Sequence, residues 1–302
     1  MPVNELRLDL VPTIDKIPSR AKRDILSKTL EGEFTTLFKG KGMEFAGFRE
    51  YTYSDDASMI DWAASLRSRK TLVRQFEVQK NFSVFFMLDV SDKMLFCSTK
   101  RNKLKVEHGA ELVSKLAYAM LQANNAVGMC MFTDKLVTRL RPNIGRGMIA
   151  SINRELSNIN NYGGACDFKQ ALLHTNTFLK RRCLIIIISD FIDMPSGWSN
   201  YLNGLRVAHE LMGIMIRDPR DEELPHMHGQ FVLEDPFSTQ RYVVDVRKYK
   251  DAYANDVSKD EEEVREAFGR GTHTFVKLRT DKEFLHPIMN MLKKRAQLYK
   301  YV

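Results

Sequence analysis

Two short apolar runs, each ending in an aspartate, constrain this chain more than any other feature. The first is NFSVFFMLDVSDKM over residues 81–94, and the second is LIIIISDF over 184–191. Both are far shorter than the roughly 20 residues a helix needs to span a bilayer. Both are rich in β-branched and aromatic residues, the pattern of central strands buried on both faces of a parallel sheet. Open α/β sheets bind ligands in the crevice beyond the carboxyl ends of their strands. Asp89 and Asp190 are therefore the expected pair at such a crevice.

From residue 82 onward, strand and helix patterns alternate. Strands are expected over 82–89, 127–132, 135–140, 184–189, 211–217 and 272–278, with a small hairpin from 231–234 and 241–246. Helices are expected over 103–123, 147–157, 168–179, 198–207, around 260–268 and over 282–298. This alternation predicts a mostly parallel sheet covered by helices on both faces, a three-layer α/β sandwich. The first eighty residues have a different texture: a short helix over 21–30, then an irregular stretch dense in charge and aromatics. Two parts follow from that contrast, an N-terminal segment over 1–80 and an α/β domain over 81–302 on which it packs.

Composition excludes several classes. A 44% hydrophobic and 28% charged chain is ordinary for a globular protein, and no stretch reads as disordered. No apolar run has membrane-spanning length, and the N-terminus lacks the pattern of a secretory signal. Cys97, Cys130, Cys166 and Cys183 show no CxxC spacing, which predicts reduced thiols and a cytoplasmic setting. The net charge of +8 is not gathered into a basic run, so nucleic acid is not the expected partner. His226 and His228 have the spacing of a strand-borne metal pair but no third ligand, and are expected in a surface loop.

The segment from 40 to 77, GKGMEFAGFREYTYSDDASMIDWAASLRSRKTLVRQFE, resembles the signature of the domain of unknown function 58 family. The family pattern runs Gly-x-Gly-x-Glu-Phe, Arg-Glu-Tyr, Gly-Asp-Asp, Ile-Asp-Trp and a final Arg. It falls here on Gly40, Gly42, Glu44, Phe45, Arg49, Glu50, Tyr51, Asp55, Asp56, Ile60, Asp61, Trp62, Arg67 and Arg74. Ser54 and Ser58 depart from it, standing where Gly and Arg are usual. The likeness continues through LDVSDKM, SDF and RDPRDEELP, so it covers nearly the whole chain. It implies a von Willebrand factor A-like fold. Arg49, Glu50, Asp55, Asp56, Asp61, Arg67 and Arg74 are read as a structural ion-pair network, because arginines keep carboxylates ionised and passive. Trp62 is read as the apolar anchor that fastens this segment to the sheet domain.

The resemblance also implies a metal-ion-dependent adhesion site, of which Asp89, Ser91 and Asp190 match the ligand positions. Lys93 stands where a second Ser is usual, and Cys166 where a Thr is usual. Hydroxyls and carboxylates suit Mg2+ or Mn2+, whereas an ammonium repels a divalent ion by several kcal/mol at about 4 Å. Lys93 is accordingly expected to tether Asp89 and Asp190 without metal, so that no cofactor is needed. If Lys93 instead points outward, Asp89, Ser91 and Asp190 remain as a weak metal site. Functionally, the resemblance implies a non-enzymatic intracellular interaction module acting with a MoxR-type AAA+ ATPase in assembling or remodelling protein complexes. Its partner-binding crevice would comprise Asp89, Ser91, Asp92, Lys93, Cys166 and Asp190. The alternative is a metal-dependent phosphoester hydrolase using Asp89 and Asp190.

Overall fold

The computed structural model describes residues 6–11, 43–53, 55–78, 83–99, 103–224, 230–234, 241–269 and 274–299. The expected helix over 21–30, Ser54, and His226 and His228 lie outside these residues. Within 43–78 the chain is more regular than its sequence suggests. Strands β1 (Met43–Glu50) and β2 (Leu72–Val78) pair antiparallel, and helix α1 (Trp62–Ser68) lies between them in sequence. The missed signal is the strand-like run TLVRQFEV, whose β-branched and aromatic content was masked by its charges.

The rest of the chain builds a six-stranded sheet from β3 (Ser83–Asp89), β4 (Ala126–Phe132), β5 (Leu136–Asn143), β6 (Leu184–Ser189), β7 (Glu210–Arg217) and β10 (Phe275–Arg279). A separate antiparallel pair, β8 (Gln230–Glu234) with β9 (Arg241–Asp245), falls where the hairpin was expected. The sheet order is β10-β7-β6-β3-β4-β5, parallel throughout except for β5, which runs antiparallel at its edge. The helices are α2 (Lys105–Gln122), α3 (Arg146–Ser157), α4 (Phe168–Phe178), α5 (Trp198–Ala208), the single turn α6 (Pro219–Glu222), α7 (Val246–Phe268) and α8 (Leu285–Tyr299). Helix α7 is much longer than the 260–268 stretch that periodicity marks. Its N-terminal half, VRKYKDAYAND, is too polar to show an apolar stripe.

Side-chain parity along the central strands shows why three layers form. Val84, Phe86 and Leu88 of β3 enter one core with α2, α3 and α8, while Phe85 and Met87 enter a second core with α4 and α5. Ile186 and Ile188 of β6 join the first core, and Ile185 and Ile187 the second. Each fully buried side chain of this size stabilises the fold by roughly 1.5–3 kcal/mol. A strand that buries both faces therefore leaves no room for polar alternation, which is why LIIIIS reads as an unbroken run. Helix α2 meets the sheet at Gly109, beside Leu88, Ile188 and Ile216. A Cβ added at Gly109 would stand 2.8 Å from Leu88 Cδ1, so a larger residue there would force the Leu88 side chain to shift. Among the described residues, no helix is long and apolar enough to cross a membrane.

The signature residues close bonds within 43–78. Arg49 donates to Asp55 at 2.6 Å, Lys70 pairs with Glu50, and Asp56 accepts from the Ser58 amide at 2.9 Å. Asp61 caps α1 by accepting from the Ala64 amide at 2.9 Å, and also accepts from Arg74 Nε at 2.9 Å. Arg67 donates to the Ala63 carbonyl of its own helix. The expected anchor is corrected: Trp62 is 67% exposed on the outer side of α1, with Leu66 beside it at 81%. Among the described side chains of this unit, the buried apolar ones are Ala64 and Val73. Asp61→Ala removes both the cap and the Arg74 partner, and should lower the melting temperature by a few degrees. An unchanged melting curve would remove Asp61 from the structural network.

Candidate functional site

The parallel register delivers a row of polar groups to one rim. Leu88 of β3 lies opposite Ile188 of β6, and Ser189 opposite Met215 of β7. Asp89, Ser189, Asp190 and Asp218 consequently leave their strands side by side, and all four are buried.

Asp89 is held from three directions. Its Oδ1 accepts from the Ser91 amide at 3.0 Å, and its Oδ2 accepts from Ser189 Oγ at 2.7 Å. The Cys166 thiol approaches Oδ2 at 3.8 Å. Burial first, and the charge of Asp190 second, push the Asp89 carboxyl above its ordinary range, against the pull of the Ser189 and Ser91 bonds. Burial, reinforced by Asp89, pushes the Cys166 thiol far up as well, so it stays protonated at neutral pH. Ser91 Oγ is fully buried and, among the described residues, has no well-formed hydrogen bond.

Asp190 has a different neighbour. Its Oδ1 accepts from the Ile192 amide at 3.1 Å, and its Oδ2 accepts from Lys105 Nζ at 2.7 Å. Lys105, the first residue of α2, also donates to Asp221 Oδ2 at 3.0 Å and lies 5.6 Å from the centroid of the Phe96 ring. Asp221 in turn accepts from the Asp218 amide at 2.9 Å. Asp218 Oδ2 takes the Ser98 amide at 3.1 Å and Thr280 Oγ1 at 3.2 Å. Lys105 thus ties the end of β6 to the turn after β7, and Asp218 ties that turn to the end of β10.

The tether expected of Lys93 is therefore a correction. Lys93 Nζ donates to the Ile192 carbonyl at 2.9 Å and lies 3.6 Å from exposed Asp193, so it clips the loop after β6. Lys93 reaches that loop from the short turn Asp92–Met94. Asp92 is exposed at the rim, with its amide bonded to the Gly164 carbonyl. Lys105, Ser189, Asp218, Asp221 and Thr280 were not singled out by sequence reasoning. One signal did exist for Lys105: a lysine in the first turn of a helix opposes the helix dipole, and is tolerated where acids face it.

A hard divalent ion takes six or more oxygens, several of them from water, and the carboxylate oxygens at this rim are largely committed to groups of the chain itself. An ammonium already occupies one oxygen of Asp190. A neutral thiol stands beside Asp89, and Lys93, where a hydroxyl is usual, directs its amine to the Ile192 carbonyl. The arrangement braces strand ends instead, and it makes the pH response readable. A carboxyl raised in the folded state stabilises fully below the ordinary Asp value of about 4, and loses that contribution as pH rises through the raised value. Asp61 behaves oppositely. The Ala64 amide first, and Arg74 next, hold it low, so its contribution is present above about pH 4 and fades on acidification. Asp89→Asn should therefore flatten the decline of stability with rising pH above about 4, read as urea midpoints. A steeper decline in the variant would show that Asp89 is not the group responsible.

Residues 47–263 match the family model described as "Protein of unknown function DUF58". The chain belongs to the DUF58 family. The uncharacterized proteins Rv1480 of Mycobacterium tuberculosis and Mb1516 of Mycobacterium bovis are each 26% identical to this DUF58 chain over 279 residues, 90% of it and 86% of theirs. Among solved structures, the conserved hypothetical protein BatB from Bacteroides thetaiotaomicron matches with a TM-score of 0.47 at 16% identity, over 72% of this chain and 100% of that one. An aerotolerance-related membrane protein from Bacteroides fragilis matches with a TM-score of 0.45, also at 16% identity and with the same coverages. Likenesses this loose carry nothing to this DUF58 chain.

Proposed function

We propose that this chain is a cytoplasmic, non-enzymatic interaction module of the von Willebrand factor A type, with a degenerate adhesion site. Its partner in this reading is a MoxR-type AAA+ ATPase, and the two act together in assembling or remodelling protein complexes. The observation that carries the reading is the state of the crevice acids. Asp89 and Asp190 are each already bonded by serine, thiol, amide or ammonium groups of the chain itself, which leaves neither free as a general base. Groups so engaged make a shaped, rigid rim, with exposed Asp92 and part-exposed Lys93 as the charges available to a partner. Exposed Tyr53, Trp62 and Leu66 add apolar surface of the kind found at protein contacts.

The test is a pulldown of the purified ATPase, taken from the same genome, on the immobilised chain. Wild type should retain it, and the charge reversals Lys93→Glu and Asp92→Lys should reduce recovery at least tenfold. Equal recovery by both variants would move the contact away from the crevice, and no recovery by wild type would remove the partner. The second reading, a metal-dependent phosphoester hydrolase, predicts turnover of a generic phosphoester with added manganese that Asp89→Asn abolishes.

A further inference from the structure

Residues 6–11, LRLDLV, lie extended against α2 and α3. Leu6, Leu8 and Leu10 are half-buried and pack on the core that contains Val113, Leu116 and Ile152, while Arg7 and Asp9 face outward. The backbone is read at alternate residues. The Arg7 amide donates to Glu107 Oε1, the Asp9 amide to Glu111 Oε1 at 2.7 Å, and the Val11 amide to Ser114 Oγ at 3.1 Å. Asn153 of α3 donates Nδ2 to the Val11 carbonyl at 2.7 Å and accepts from Ser114 Oγ at 2.8 Å, so Val11 is clamped on both its polar groups. Lys115 Nζ lies 3.5 Å from Asp9 Oδ2. All four residues that read the backbone, Glu107, Glu111, Ser114 and Asn153, are buried.

The spacing explains how a helix can read an extended chain. Equivalent amides of an extended peptide recur every two residues, about 6.6 Å apart, and side chains four apart on a helix advance by about 6 Å. Glu107 and Glu111 follow that step, and Ser114 takes the next amide from the adjoining turn. These are pre-positioned acceptors aimed at an extended backbone, as in strand-addition recognition, with a helix face substituted for a sheet edge.

We propose that the α2–α3 groove is a recognition site for an extended peptide of the form Leu-x-Leu-Asp-Leu, that residues 6–11 fill it as an internal ligand, and that a partner's segment of the same chemistry exchanges with them. Most of the readout is of backbone, which any extended peptide presents. Identity is carried by three half-buried leucines and by the acid that meets Lys115. This site goes beyond the crevice and its proposed ATPase, and does not rest on them.

The probe is a fluorescent peptide with the sequence of residues 4–13, and the host is the full chain carrying Leu6→Ser, Leu8→Ser and Leu10→Ser, with its fold checked by circular dichroism. The peptide should bind this host saturably and at least tenfold more tightly than it binds wild type, whose own segment competes. Adding Asn153→Ala to the host, or Leu8→Ser to the peptide, should weaken binding at least tenfold. No saturable binding to a folded host, or binding indifferent to Asn153, overturns the proposal. Should the triple variant not fold, hydrogen exchange in wild type gives the same answer. Excess peptide should accelerate exchange at the Arg7, Asp9 and Val11 amides at least tenfold, and unchanged protection overturns the exchange. A wild-type dimer that the triple variant cannot form would overturn the partner in favour of a second copy's segment.

Discussion

Replacing Lys105 by methionine should destabilise the protein by about 3–5 kcal/mol, the range for removing one partner of a buried ion pair. The lysine stem and its ammonium are almost wholly enclosed, and so is the Asp190 carboxylate it meets at 2.7 Å. Methionine keeps the apolar volume but leaves that carboxylate, among the described residues, with just the Ile192 amide on its other oxygen. Asp221 also loses the ammonium, though it is closer to solvent and retains the Asp218 amide. For a chain of this size the change corresponds to a fall in melting temperature of about 5–8 °C. Lys93→Met is the control. Its nearest acid, Asp193, is exposed, and pairs of that kind contribute about 0–1 kcal/mol. Urea unfolding of both variants decides the matter: if Lys93→Met costs more than Lys105→Met, the central cation is Lys93 after all. The double variant Lys105→Met with Asp190→Asn should recover part of the loss, because no buried charge is then stranded.

What the chain disclosed in advance follows from which physical signals are local. Strands buried on both faces, such as 184–189, announce themselves because every position must be apolar. The same holds for α2, whose core face repeats with helical period. The pairing of β1 with β2 was hidden, since Glu44, Arg49, Glu50, Arg74 and Glu77 interrupt any apolar alternation along the two strands. At the rim, Asp89 and Asp190 were legible as strand-end acids, but the lysine between the strand ends was not. Lys93 is near Asp89 in sequence, and proximity in sequence is a poor guide to reach. Lys105 arrives from the start of a helix, 85 residues away from its partner, and only the packing of α2 on the sheet sets that contact. The peptide groove lay further out of view, because its acceptors read main-chain amides that no side-chain pattern records. Only the alternation of leucines in LRLDLV hinted that the segment has an inner face.

The second large effect is expected at Phe168, where core and rim share one side chain. Phe168 opens α4 directly after its cap, Asp167, whose side chain accepts from the Gln170 amide at 3.0 Å. Its ring is fully buried, with centroids 5.9 Å from Phe132, 5.7 Å from Phe191 and 5.7 Å from Trp198, mostly edge to face. Phe168→Ala removes that shared neighbour and should cost about 3–5 kcal/mol, the usual range for a buried phenylalanine. Phe168→Leu retains much of the apolar volume and should cost about half as much or less. The consequence reaches the rim because Phe191 follows Asp190, and its amide donates to Ser189 Oγ at 3.2 Å. Loosening the ring cluster should therefore speed hydrogen exchange at the Phe191 and Ile192 amides more than in the middle of β6, where the ladder to β3 and β7 is untouched. Uniform acceleration along β6 would mean that Phe168 stabilises the sheet as a whole. Acceleration confined to 191 and 192 would identify this aromatic cluster as the support on which the geometry of Asp190 and Lys105 depends.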